Sequence, residues 1–135
     1  MICLDTNVVI GLVNRRDAKI RDRFEAQMTL GAEIALPAIS LFEMRYGHAK
    51  SSRRAASDLQ LDTLLARGIA VIPFEAADAD HAGEIRADLE AKGTPIGAYD
   101  ILIAAQARRR GATLVTANTR EFERVPGLLV VDWAT

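Results

Sequence analysis

Three carboxylates and one carboxamide of this 135-residue chain could do chemistry together: Asp5, Glu43, Asp100 and Asn118. Each also has a plain structural explanation. Asp5 follows the short apolar run Ile2–Leu4 and precedes a predicted helix, where an Asp caps well. Glu43 lies in a helix predicted over residues 38–49 whose core face reads as Ile39, Phe42 and Tyr46, so its carboxylate projects from that same side. A carboxylate there needs a cation or a donor, and Arg45 or Arg86 could serve. Asp100 sits in the first turn of a helix whose next five residues, Ile101 to Ala105, are all apolar, and a helix N-terminus favours an anion. Asn118 could cap residues 119–123. Taken together, the four converge at strand ends and on inward helix faces. Like charges gathered in a half-dry cleft repel, and a divalent cation relieves them. With oxygen ligands only, and His48 and His81 on other segments, the expected ion is hard, Mg²⁺ or Mn²⁺. Such a site suits phosphodiester hydrolysis, in which metal ions activate a water and stabilise the leaving oxygen.

The elements that must position these residues can be read from the periodicity. Short apolar runs at 2–4, 34–36, 69–74, 113–116 and 128–131 read as strands, and helical spacing covers 18–30, 38–49, 53–66 and 76–91. A turn at Thr94-Pro95-Ile96-Gly97 opens a further helix through Arg110. This alternation predicts an α/β fold, a parallel sheet covered on both faces and joined by right-handed crossovers. An open parallel sheet takes its ligand outside the carboxyl ends of the strands, where Asp5-Thr6-Asn7 and Thr116-Ala117-Asn118 both fall. No repeat, low-complexity stretch or linker interrupts the chain, so residues 1–135 read as one domain.

Composition narrows the classes further. Half of the residues are hydrophobic, and 17 Lys and Arg against 18 Asp and Glu leave a net charge of −1. Cys3 stands alone, which excludes a disulfide framework and a cysteine zinc site. The longest apolar stretches are too short to span a bilayer, and no basic residue precedes the N-terminal apolar run as in a signal peptide. A soluble, cytoplasmic protein with no membrane partner is expected. Charge is uneven: residues 45–54 carry Arg45, Lys50, Arg53 and Arg54 with no acid, whereas 75–100 carry seven acids and two bases. The basic stretch lies just beyond Glu43, so these four residues are candidates for RNA phosphates if the substrate is RNA.

Four motifs in order complete the sequence evidence: Asp5-Thr6-Asn7, Ser40-x-x-Glu43, Gly97-Ala98-Tyr99-Asp100 with its apolar continuation, and Thr116-x-Asn118-x-x-x-Phe122. With the closing Val125-Pro126-Gly127 and Asp132-Trp133, the chain resembles the PIN-domain ribonucleases along its whole length, and within them the VapC-type toxins of toxin-antitoxin modules. The resemblance implies a three-layer α/β/α sandwich, a Mg²⁺- or Mn²⁺-dependent endoribonuclease, a toxin homodimer and a VapB-type antitoxin that joins it in a larger complex. By motif match Asp5, Glu43 and Asp100 become metal ligands and Asn118 takes the fourth catalytic position. Thr6 and Thr116 become polar neighbours of the metal, and residues 85–100 resemble relatives for which tRNA is the expected substrate, with translation inhibited as the result.

Rival readings fail on single positions. A phosphoacceptor receiver wants an acid ending its third strand, but Ile72 is followed by Pro73; a haloacid-dehalogenase-type phosphatase wants an Asp where Asn7 stands. A non-catalytic RNA-binding domain of PIN-like fold remains as the alternative, and the intact carboxylates argue against it.

Overall fold

Strands too short to be stable alone survive only when joined in a sheet, and the sequence supplies five of them. In the computed structural model, which describes residues 1–135, they are β1 (Ile2–Leu4), β2 (Ile34–Pro37), β3 (Ala70–Ile72), β4 (Thr113–Val115) and β5 (Leu129–Val131). Between them run α1 (Thr6–Asn14), α2 (Ala18–Thr29), α3 (Ala38–Ala49), α4 (Arg54–Leu65), α5 (Ala76–Ala91), α6 (Ala98–Arg109) and the short α7 (Thr119–Phe122). The expected third strand, 69–74, is cut at Ile72 because Pro73 has no N–H for the ladder. No helix is long and apolar enough to cross a membrane.

All strand pairs are parallel, in the order β3-β2-β1-β4-β5. The chain therefore builds outward from β1 on one side and then returns to its other side, leaving a switch point between β1 and β4. Leu4 pairs with Val115 there, so Asp5 and Thr116 leave the sheet side by side, and the Asp5 N–H donates to the Val115 carbonyl at 3.0 Å.

Alternation along each strand divides the core into two layers. Cys3, Ala35 and Leu114 face one way, against Ile85 and Leu89 of α5 and Ile103, Ala104 and Ala107 of α6. Leu4, Ile34, Leu36 and Val115 face the other, against Val8 and Val9 of α1, Phe24 of α2 and Leu61 of α4. Burial pushes the Cys3 thiol up to about 11, so it stays protonated and inert.

Helix α3 corrects the sequence reading. Its deeply buried residues are Ser40 and Met44, whereas Phe42 and Tyr46 stand out in solvent. Apolar residues surround this helix on nearly every side, so periodicity alone could not choose the inward face; packing against α1, α4 and α6 does.

Candidate active site

The four motif residues sit on four different segments, and the switch point gathers them. Asp5 caps α1 as expected, but with one oxygen only: Oδ1 accepts from the Thr6 N–H at 2.8 Å, while Oδ2 accepts from the Thr116 hydroxyl at 2.8 Å. Burial pushes the Asp5 pKa above its ordinary value; the Thr116 and Thr6 hydrogen bonds oppose this, and the Glu43 charge adds to it. Glu43 finds neither of the cations proposed for it. Arg45 binds Asp58 and Asp62 at 2.8 and 2.6 Å, Arg86 binds Glu90, and the Glu43 Oε1 instead accepts from the Thr6 hydroxyl at 2.8 Å.

Asp100 lies in the first turn of α6, folded back toward Gly97. A Cβ built at Gly97 would stand 3.3 Å from the Asp100 Oδ2, so the glycine leaves that carboxylate its room. The Asp100 pKa is pushed up to about 6, first by burial and then by the charges of Asp5, Glu43 and Glu121. That last residue is absent from the sequence-based set. Glu121 lies in α7, and the Asn118 Nδ2 donates to its Oε2 at 2.8 Å while the Asn118 N–H donates to the Thr116 hydroxyl at 3.0 Å. Asn118 stands at the N-cap of α7 as expected, yet its side chain makes no capping bond; it holds a fourth carboxylate. The available signal was the spacing Asn118-x-x-Glu121, that of a capping box.

Two threonines thus organise the cleft. Thr6 ties α1 to α3, and Thr116 ties the end of β1 to the loop before α7. None of the four carboxylates takes a hydrogen bond from Lys or Arg. No three of the acids close into a ready-made cage. An all-oxygen donor set of four acids that lack a counter-ion fits a hard divalent cation.

The basic stretch is only partly free. Arg45 is engaged by α4, Arg54 lies 3.8 Å from Asp58, and the His48 Nδ1 is 2.8 Å from the same carboxylate. The acids that neutralise Arg45 and Arg54 lie one and two turns further on, beyond the window in which the charge looked unbalanced. Lys50 lies over the Tyr46 ring, 4.6 Å from its centroid, and Arg53 precedes α4 with its N–H bonded to the Ser51 hydroxyl. Of the three arginines that close α6, Arg109 and Arg110 bind the buried Asp78.

The model of the PIN domain matches residues 2–128, and the parallel sheet with acids at its β1–β4 switch point fits the class of PIN-domain nucleases. The tRNA(fMet)-specific endonuclease VapC of Shigella flexneri is 39% identical over 97% of this chain and 96% of its own length. Ribonuclease VapC2 of Rickettsia felis is 37% identical over 96% of each. The crystal structure of VapBC2 from Rickettsia felis bound to a promoter DNA fragment superposes with a TM-score of 0.91 and 36% identity, covering 98% of this chain and 99% of that one. The chain belongs to the VapC family of PIN-domain ribonucleases.

Proposed function

We propose that residues 1–135 form one nuclease domain that cuts RNA as the toxin of a toxin-antitoxin module, in the cytoplasm, with tRNA as the substrate class and arrest of translation as the effect. The observation that carries this reading is the gathering of Asp5, Glu43, Asp100 and Glu121 with no counter-ion, in which Asp100 is pushed up to about 6. Asp5, Glu43 and Asp100 would hold Mg²⁺ or Mn²⁺; when bound, the ion supplies an activated water and positive charge at the leaving oxygen. Thr116 and Thr6 fix the rotamers of Asp5 and Glu43, so the ligands are oriented before the ion arrives. Asn118 positions Glu121, which faces the same cleft as a fourth acid. Lys50 and Arg53 are the cations of the basic stretch least engaged by acids, and they would meet RNA phosphates.

The relatives crystallised as VapBC complexes support a VapB-type antitoxin as partner of this chain, and a homodimer of the chain is the form proposed to bind it. A recess of about 810 Å³ between α1, α2 and α4 is floored by Leu12, Val13 and Phe24 and rimmed by Arg15 and Arg21. Through Val13, Asn14 and Gln60 it continues into a second recess of about 220 Å³ that ends at Glu43. An apolar antitoxin segment laid along this path could deliver a Lys or Arg to the carboxylates, offsetting the repulsion that a metal would otherwise offset.

Asp5→Asn and Asp100→Asn test the catalytic assignment. Each should reduce Mg²⁺-dependent cleavage of tRNA by at least about 100-fold while the circular dichroism spectrum is retained, and EDTA should silence the native protein. RNA binding without cleavage by the native protein in saturating Mg²⁺ would assign the chain to the non-catalytic alternative.

A further inference from the structure

Helix α3 carries Glu43, yet no local side chain holds its first turn. It leaves β2 without a loop, Pro37 at its N-cap makes no side-chain capping bond, and the Ser40 hydroxyl is buried without a partner. What the start of α3 receives comes instead from α6, the helix of Asp100. Gln106 is wholly buried, and its amide reaches three backbone groups: Oε1 accepts from the Ile39 N–H at 3.4 Å, and Nε2 donates to the carbonyls of Ile72 and Pro73 at 2.9 and 3.0 Å. One orientation of the amide satisfies all three, since two of the partners need a donor and one an acceptor. Ile72 is also the residue paired with Pro37 across β2 and β3, so Gln106 lies against the point at which α3 leaves the sheet.

The Gln106–Ile39 bond is the one hydrogen bond between α3 and α6. Thr6 ties Glu43 to α1 and Thr116 holds Asp5, but the Asp100 carboxylate takes no such bond. On the solvent side α3 and α6 meet through the rings of Phe42 and Tyr99, edge to face at 5.3 Å; on the buried side they meet at Gln106. Glu43 stands four residues after Ile39 and Asp100 six before Gln106, about 6 and 9 Å along the two helices from this tie. We infer that Gln106 is a positioning residue for the metal site: it fixes the separation of Glu43 and Asp100 so that one small divalent cation can take an oxygen from each. This rests on the nuclease reading above and adds what makes the site selective. Mg²⁺ demands a near-ideal octahedron with oxygens at about 2.0–2.1 Å, whereas Ca²⁺ accepts irregular sets at about 2.3–2.6 Å. Slack of about half an ångström between α3 and α6 is therefore felt by Mg²⁺ and hardly by Ca²⁺.

Calorimetric titration of Mg²⁺ and of Ca²⁺ into the RNA-free protein tests this, with thermal unfolding in EDTA alongside. Asp100→Asn should lose Mg²⁺ binding, which identifies the cleft as the site titrated. Gln106→Met keeps the length and the bulk and loses all three bonds. It should bind Mg²⁺ about 10-fold more weakly and Ca²⁺ within about 2-fold of the native protein. The Mg²⁺ concentration that half-saturates RNA cleavage should rise by the same factor as the Mg²⁺ affinity falls, with the rate at saturation kept. Phe24→Leu, in α2 on the opposite face of the sheet, also lowers the unfolding temperature and should bind both ions as the native protein does. If Gln106→Met is largely unfolded, trimethylamine N-oxide restores the compact state, and the comparison is made with native protein in the same solution. Should Gln106→Met bind both ions as the native protein does, weaken both equally, or lose no more Mg²⁺ affinity than Phe24→Leu, the inference is refuted; RNA cleavage by the native protein in Mg²⁺ then leaves the nuclease reading standing. A native protein that binds Mg²⁺ at Asp100 but cuts no RNA, with a selective loss of Mg²⁺ in Gln106→Met, overturns the nuclease reading and keeps the inference. A native protein that binds no Mg²⁺ overturns both.

Discussion

Two aspartates of this chain, Asp78 fully buried and Asp100 partly so, should respond to the same substitution with opposite signs. Asp100 has a raised folded pKa, so the metal-free native state holds its proton more tightly than the unfolded chain does. Its ionisation therefore penalises folding increasingly as pH rises from about 4 to about 6, the full penalty being present above that. In the presence of a chelator, Asp100→Asn should be more stable than the native protein above pH 6.5, by about 1 kcal/mol once the partial exposure of the group is allowed for. The difference should vanish near pH 4, as read by thermal unfolding at both values. Asp78 is the reverse case. Burial alone would raise its pKa, but hydrogen bonds from Arg109, the Glu75 N–H and Arg110 overcome this and hold it below the ordinary carboxylate value. The stability that follows is present above the ordinary carboxylate range and is lost as pH falls through the depressed pKa. Sequence patterning located Asp5, Glu43 and Asp100 because each interrupts an apolar pattern. Glu121 interrupts nothing, being one charge in a polar turn, and only the fold shows that its turn overhangs the cleft.

At the scale of elements, Asp78 joins the start of α5 to the end of α6. Its side chain has no exposure, and it completes a capping box with Glu75 as well as the two arginine pairs. Asp78→Asn would leave both guanidiniums facing an uncharged amide, and we expect a loss of about 3 kcal/mol at pH 7 in urea unfolding, with native-like spectra retained. Helix α5 was legible in sequence to its ends, Ala76 and Ala91, since its caps are local. The parallel sheet was legible too, from apolar runs with no polar alternation. The orientation of α3 was not: Ile39, Leu41, Phe42, Met44 and Tyr46 spread over its whole circumference, and the choice among them depends on helices far away in sequence. The pairing of Arg45 with Asp58 and Asp62 was hidden for a similar reason, since it needs the angle between α3 and α4.

At the scale of the whole molecule, the α1–α2–α4 recess and the recess that reaches Glu43 share Val13, Asn14 and Gln60 in their linings, so the proposed antitoxin path would couple partner binding to metal binding. If the antitoxin brings a cation to the carboxylates, its affinity should fall in saturating Mg²⁺, and Leu59→Asp, at an exposed leucine of the recess, should weaken the complex whether or not Mg²⁺ is present. Calorimetry of the four combinations checks both expectations; indifference to Mg²⁺ would place inhibition in steric cover alone. The strand order has a further consequence, for the time at which the protein becomes dangerous. β1 is the first strand to leave the ribosome, yet it lies in the middle of the sheet, and its neighbour at the switch point is β4, more than a hundred residues later. Asp5 meets the Thr116 hydroxyl only when nearly the whole chain has been made, and Glu121 follows later still. The unfinished chain cannot assemble its acids, so the proposed nuclease site forms only when synthesis is almost over.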